Sequence, residues 1–283
     1  MLPFILRRFL AAVPVLLGVT IVTYLFVNLA PGDPVTALLN PEQMAALGPG
    51  WVQQQKEVLG LDKPLPVRYV IWLDEMAHGN LGYSYVDRRP VLTKIDERIG
   101  ATLQLMGTAF LISLIVSIPL GVLSAVKQYS LIDYISNILG LTMVSIPGFF
   151  VGLAGIYLFA VMWHILPTAG MATIGAPPSL LDRLRHLILP ALVLGMANAA
   201  PLIRYTRSSL LEVIHQDFVR TARAKGLPEH IAILRHALRN ALIPVITVVA
   251  LQIPGLVGGS VIIEQIFAWP GIGTLAISAI LRP

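Results

Sequence analysis

The 283-residue chain contains no cysteine. Disulfides, thiolate metal sites and thiol nucleophiles are thereby excluded, while the redox compartment is left open. Charge is scarce as well: Asp, Glu, Lys and Arg make up 12% of the residues, where a soluble domain carries about 25%. That charge is unevenly placed, with none in residues 9–30, 101–126, 134–163, 187–203 or 241–263. Catalytic signatures are missing too. No lysine sits in a Gly-x-x-x-x-Gly-Lys-[Ser/Thr] loop, so the chain has no phosphate loop for ATP hydrolysis. It has no His-Glu-x-x-His and no Gly-x-Ser-x-Gly, and its histidines are scattered, so neither a metal nor another cofactor is expected. The uncharged runs hold no ionisable residue at depth and no internal repeat is evident. Both absences argue against an ion-coupled secondary carrier.

What remains is apolar. Hydrophobic residues make up 56% of the chain, and the mean hydropathy is +0.77. A helix crosses a bilayer with about 20 apolar residues, range roughly 17–25. Four of the uncharged runs meet this length comfortably, and 187–203 lies at its short end. The first run exceeds the h-region of a signal peptide, and Asn28–Pro31 makes a poor cleavage site, so a retained span is expected. Arg7 and Arg8 before it predict a cytoplasmic N-terminus. The alternation then puts 204–240 inside, where seven basic residues stand against three acidic ones. The net charge of +5 is mostly of this flanking kind. It sets topology, and no nucleic-acid partner is implied.

These readings predict an all-α integral membrane protein, a polytopic helix bundle. Residues 1–30 form the cytoplasmic N-terminus and first span, and 31–99 an extracytoplasmic loop. Residues 100–283 form the transmembrane core, with spans at about 101–126, 134–163, 187–203 and 241–263, an inner loop over 204–240 and an outer tail over 264–283. The outer loop is expected to be structured. It has a Pro31–Pro34 turn, a helix from about Pro41 to Leu59 capped by Gly60, and an amphipathic stretch Val67–Met76 with Tyr69 and Trp72 as packing anchors. Pro119, Ser145–Gly148 and Pro254-Gly255 interrupt spans, as bent helices lining a path or as ordinary kinks. Glu264 and Trp269 read as an interfacial boundary after the last span.

The inner loop is the most informative stretch. A helix through Phe218–Lys225 carries the small residues Ala222 and Ala224, and Gly226 suits a left-handed cap. Pro228 suits the first turn of a second helix, on which Arg235 and Arg239 stand four apart. Such a helix–Gly–helix projection fits either docking into a partner's groove or a solvated basic loop.

The segment 212–244, with Arg220-Thr221-Ala222-Arg223-Ala224-Lys225-Gly226 followed by His236-Ala-Leu-Arg-Asn240-Ala-Leu-Ile-Pro244, resembles the coupling loop of permease subunits of binding-protein-dependent ABC importers, in their dipeptide/oligopeptide branch. Ala222, Gly226 and Pro244 match the motif, while Arg220 stands where the general motif has glutamate, as in the peptide branch. Leu6–Arg8, Ala30–Pro34, Leu59–Leu65, Gly79–Ser84, Arg204–Ser209 and Gly258–Gly273 match in the same order.

The resemblance implies a type I permease fold and a subunit without chemistry of its own. It implies a second permease, usually a different chain, two cytoplasmic ATPases that bind the coupling loop, and an extracytoplasmic solute-binding protein, all at a bacterial inner membrane and its lipid. Peptides are the implied cargo, with nickel, glutathione, opines and oligosaccharides as alternatives. The family has six spans. Five are expected here, the chain ending at Pro283 about where the last would begin.

Overall fold

A computed structural model describes residues 2–29, 50–54, 57, 60–84, 87–258 and 260–281. The helices named here are α1 (Leu2–Leu29), α2 (Leu65–Ala77), α3 (Val91–Val126), α4 (Leu131–Ser145), α5 (Gly148–Gly155), α6 (Leu180–Ile214), α7 (Asp217–Ala224), α8 (Glu229–Ile231), α9 (Leu238–Gly258), α10 (Val261–Ile266) and α11 (Ile272–Leu281). Wide π turns continue α5 over Ile156–Met162 and join α8 to α9 over Ala232–Ala237. Among the described residues there is no strand, only a lone bridge between Tyr83 and Pro90.

Among the described residues, four helical stretches are long and apolar enough to cross a membrane: Leu6–Leu29, α3, α6 and Glu229–Gly258. A fifth crossing results if α4 and the Gly148–Met162 helix count as one span, bent by 102° at Ile146-Pro147. Pro147 sits at φ −56°, ψ 133° and has no N–H to donate, which ends the helical ladder there. The chain is an all-α membrane protein.

Two units divide it, Met1–Lys94 and Ile95–Leu281. In the first, α2 lies against the end of α1. The Tyr24 ring stands 5.5 Å from Tyr69 and 5.4 Å from Trp72. The hydroxyls of Thr20 and Tyr69 meet at 2.9 Å, and Arg68 Nη2 donates to Asn28 Oδ1 at 2.6 Å. The two anchors expected in the outer loop are thus fixed by one aromatic on the first span. Residues 50–54 are helical and Gly60 has a positive φ. The expected Pro31–Pro34 turn, and the start of the helix from Pro41, lie outside the described residues.

In the second unit the polarity of a water-soluble bundle is inverted. The buried stripe of α3 is Ala101, Thr102, Leu105, Met106, Ala109, Ser113, Ser117, Gly121, Ser124 and Ala125, mostly small or hydroxylated. Leu111, Ile115 and Leu123 face outward. With no hydrophobic force between helices in lipid, close packing of small residues holds the bundle instead. Two glycines show how close. A Cβ on Gly121 would lie 2.6 Å from Thr206 Cβ, and one on Gly195 would lie 2.7 Å from Ile112 Cγ2 and 2.9 Å from the Ala109 carbonyl. Backbone therefore meets side chain and backbone where α3 crosses α6. The α6 helix runs at the centre, against α4, α5 and α9.

Both α3 and α6 extend past the uncharged windows 101–126 and 187–203. Backbone hydrogen bonding continues through polar residues once the helix is nucleated, so hydropathy marks the membrane portion and not the helix end.

Candidate functional site

Past the apolar window, α6 carries Arg204 and Arg207 and ends at Ile214. Arg207 does not face solvent. Its Nε and Nη2 donate to the two carboxylate oxygens of Asp133 at 2.7 and 2.8 Å. Asp133 lies in the first turn of α4, which Ser130 caps. Its carboxylate also accepts from Ser124 Oγ at 2.5 Å, the Tyr129 N–H at 3.0 Å and Asn137 Nδ2 at 2.7 Å. One nearly buried carboxylate thus ties α3, α4 and α6 together. Sequence reading singled out neither Asp133 nor its partner, 74 residues away.

Beyond His215 the chain turns into α7. Val219 is buried in a cluster with Ala125 of α3, Leu210, Val213 and Ile214 of α6, Ile233 and Ala237 of the second π turn, and Ala241 of α9, and Ala222 is buried as well. The short helix is therefore seated on the ends of three long ones. Its other face is open: Arg220, Thr221, Ala224 and Lys225 are exposed. Thr221 Oγ1 donates to the Asp217 carbonyl at 2.8 Å, and Arg220 Nη1 lies 3.7 Å from Asp217 Oδ1.

The end of α7 is a Schellman cap. Gly226 has φ +81°, its N–H donates to the Arg223 carbonyl at 2.9 Å, and the Leu227 N–H reaches the Ala222 carbonyl at 3.3 Å. Pro228 stands just before α8 rather than within its first turn. Arg223 bridges the break, donating from Nε and Nη2 to Glu229 at 2.9 and 2.6 Å and from Nη1 to the Ile214 carbonyl at 3.4 Å. That carboxylate raises the Arg223 pKa above its ordinary value. Glu229 was not singled out in the sequence, though a carboxylate just after Gly-Leu-Pro is the available partner for a preceding arginine.

Further along, His236 is half-buried, and Asn240 is exposed and donates to the His236 carbonyl at 3.0 Å. Pro244 lies inside α9. Arg220–Gly226 thus form one compact projection, while His236 and Asn240 sit on the following helix.

At the opposite end of α3 a second cluster corrects the expected boundary. Glu264 and Trp269 are fully buried. Trp269 Nε1 donates to the Ala101 carbonyl at 2.8 Å, and Glu264 accepts from Thr102 Oγ1 and the Thr274 N–H, each at 3.1 Å. The carboxylate meets the first turn of α11, where backbone N–H groups are unpaired and favour negative charge.

Comparison with known proteins agrees along the chain. A family model described as "Binding-protein-dependent transport system inner membrane component" matches residues 117–282. One described as "Binding-prot-dependent transport system membrane comp, N-term" matches residues 1–106. The chain is 44% identical over 280 residues to the oligopeptide transport system permease protein AppB of Bacillus subtilis, covering 99% of this chain and 87% of that protein. It is 39% identical over 308 residues to the dipeptide transport system permease protein DppB of Escherichia coli K12, covering 100% and 88%. It is 39% identical over 283 residues to the glutathione transport system permease protein GsiC of Salmonella typhi, covering 99% and 87%.

Proposed function

Because this chain belongs to the family of binding-protein-dependent transport system inner membrane components, we propose that it is a permease subunit of an ABC importer for di- and oligopeptides. It forms the membrane pathway with a second permease. An extracytoplasmic binding protein delivers the cargo, and two ATPase subunits supply the work. The N-terminus and α7 lie on the cytoplasmic side of a bacterial inner membrane. The names of the relatives support peptide cargo, and the glutathione relative extends it to a modified tripeptide.

The observation that carries the reading is the seating of α7. An exposed polar face, Arg220, Thr221, Ala224 and Lys225, sits on a helix whose other face is locked into α3, α6 and α9. In this reading the exposed face docks on the ATPase, Gly226 fixes the angle at which α7 leaves it, and Arg223–Glu229 keeps the turn rigid. A lever couples two states only if both ends bias the same element. Here α3 runs unbroken from the Ala125 cluster to Thr102 and Ala101 at its far end, so a push on α7 is delivered to the Glu264–Trp269 cluster.

The test uses the absence of native cysteine. Thr221→Cys, in the complex purified with its partners, is expected to cross-link to the ATPase subunit. In vesicles the parent complex is expected to take up peptide only with ATP and binding protein present. Cross-linking to no ATPase, or labelling of the introduced thiol only from the extracytoplasmic side, overturns the assignment.

A further inference from the structure

Three arginines of the second unit are paired with acids. Arg207, Arg220 and Arg223 each face a carboxylate: Asp133, Asp217 and Glu229. Arg235 and Arg239 face none among the described residues. These two stand one turn apart at the start of the apolar helix, and with His236, Asn240 and Ile243 they line an open pocket of about 490 Å³.

The local backbone explains why the arginines point outward. Ala232 and Ala237, five residues apart, are both fully buried. Five-residue spacing is brought into line by the i→i+5 bonding of a π turn, which covers Ala232–Ala237 here. Ala241 and Val245 continue the buried face in ordinary α register. Arg235, Arg239 and Asn240 are left exposed.

Below the pocket the character of the surface changes. Ile243, Ile246, Leu251, Ile253 and Val257 are all exposed along α9. A concave, cationic, hydrogen-bonding mouth therefore continues into a stripe of aliphatic side chains running along the membrane-crossing helix. A small soluble anion matches the mouth but leaves the stripe unused. An amphiphile with a negative head matches both.

We propose that Arg235, His236, Arg239 and Asn240 bind the phosphodiester headgroup of an anionic phospholipid whose acyl chains lie along the Ile243–Val257 face. The site is independent of what the pathway carries, and it is read by lipid retention, so its failure leaves the permease reading untouched.

The experiment takes the complex with its partner subunits, purified in mild detergent, and measures binding of phosphatidylglycerol and phosphatidylcholine. The parent is expected to prefer phosphatidylglycerol. With each arginine near an anionic surface worth about 1 kcal/mol, R235Q/R239Q is expected to bind phosphatidylglycerol about thirtyfold more weakly, with phosphatidylcholine unchanged. R235K/R239K keeps most of the binding, which separates loss of charge from loss of folding. R183Q, at the other end of α6, leaves it unaltered. Inorganic phosphate in large excess does not displace the lipid. Three results overturn the proposal: equal phosphatidylglycerol binding in R235Q/R239Q; displacement by inorganic phosphate, which makes this a small-anion site; or loss of the ATPase subunits from R235Q/R239Q with lipid retained, which makes it a protein-docking face.

Discussion

The Thr102 hydroxyl donates to the Glu264 carboxylate at 3.1 Å across 162 residues of sequence, and both side chains are fully buried. On its other side the carboxylate presses against Gly271, where a Cβ would overlap Glu264 Cδ and both oxygens. The buried carboxyl is satisfied because Thr102 Oγ1 and the Thr274 N–H at the start of α11 both donate to it. Replacing Glu264 by Ala leaves those donors unpaired and is expected to destabilise the protein by about 1–3 kcal/mol. Gly271→Ala is expected to destabilise it through overlap, and E264A/G271A to be more stable than the sum of the single effects. Thermal melts of the solubilised complex measure all three; strict additivity would refute the contact.

Asp133 and Arg207 form the other internal tie. Removing one member of a buried pair leaves the other uncompensated, at a cost of about 3–5 kcal/mol, whereas replacing both is far milder. Arg207→Met is therefore expected to unfold the bundle at markedly lower temperature, and D133N/R207M to recover most of the loss. If the double variant is as unstable as Arg207→Met, the pairing is not what holds α4 to α6.

Gly226 tests the projection itself. Its φ of +81° suits glycine, and although a Cβ there would meet no neighbour, a β-branched residue is an outlier at that angle. Gly226→Val is expected to insert normally and to lose ATP-driven uptake and ATPase association together. Gly226→Asn, which tolerates the left-handed region, is expected to keep a substantial part of both. Full uptake by the valine variant would contradict the role given to the cap.

Asp87 gives a pH prediction in the first unit. Hydrogen bonds from Lys94 and Ser84 draw its carboxyl down to about 2, with Lys94 Nζ at 2.9 Å. A carboxyl with a depressed folded pKa stabilises the fold above its ordinary pKa, and the benefit is lost as pH falls from about 4 through that depressed value. A carboxyl-carbon NMR titration is expected to show Asp87 still ionised at pH 3, and Lys94→Met to return its midpoint to the ordinary range. A normal midpoint in the parent chain argues that the Lys94 contact does not persist in solution.

Much of this architecture was legible because the bilayer imposes a length on apolar runs. The run at 101–126 falls within α3, and most of those at 9–30 and 241–263 within α1 and α9, and Gly226 was readable because few residues other than glycine take that conformation. The helix ends were not readable: Arg204 and Arg207 close an apolar window without breaking α6. Glu264 misled for a related reason. A carboxylate after an apolar run looks like the point where a chain meets water, and its burial depends on Thr102, too distant in sequence for any local pattern to reveal.

The Asp133–Arg207 tie also bears on how the protein is made. The 74 residues between the partners take about 4–15 s to synthesise at roughly 5–20 residues per second. Throughout that interval Asp133 is already present and Arg207 is not. The donors nearest Asp133 in sequence, Ser124, the Tyr129 N–H and Asn137, leave the ribosome before it or within four residues after it. They make up a local cradle that is available to the carboxylate before its cation is. Stripping the cradle is therefore felt first in the yield of inserted chain, before any change in the finished permease.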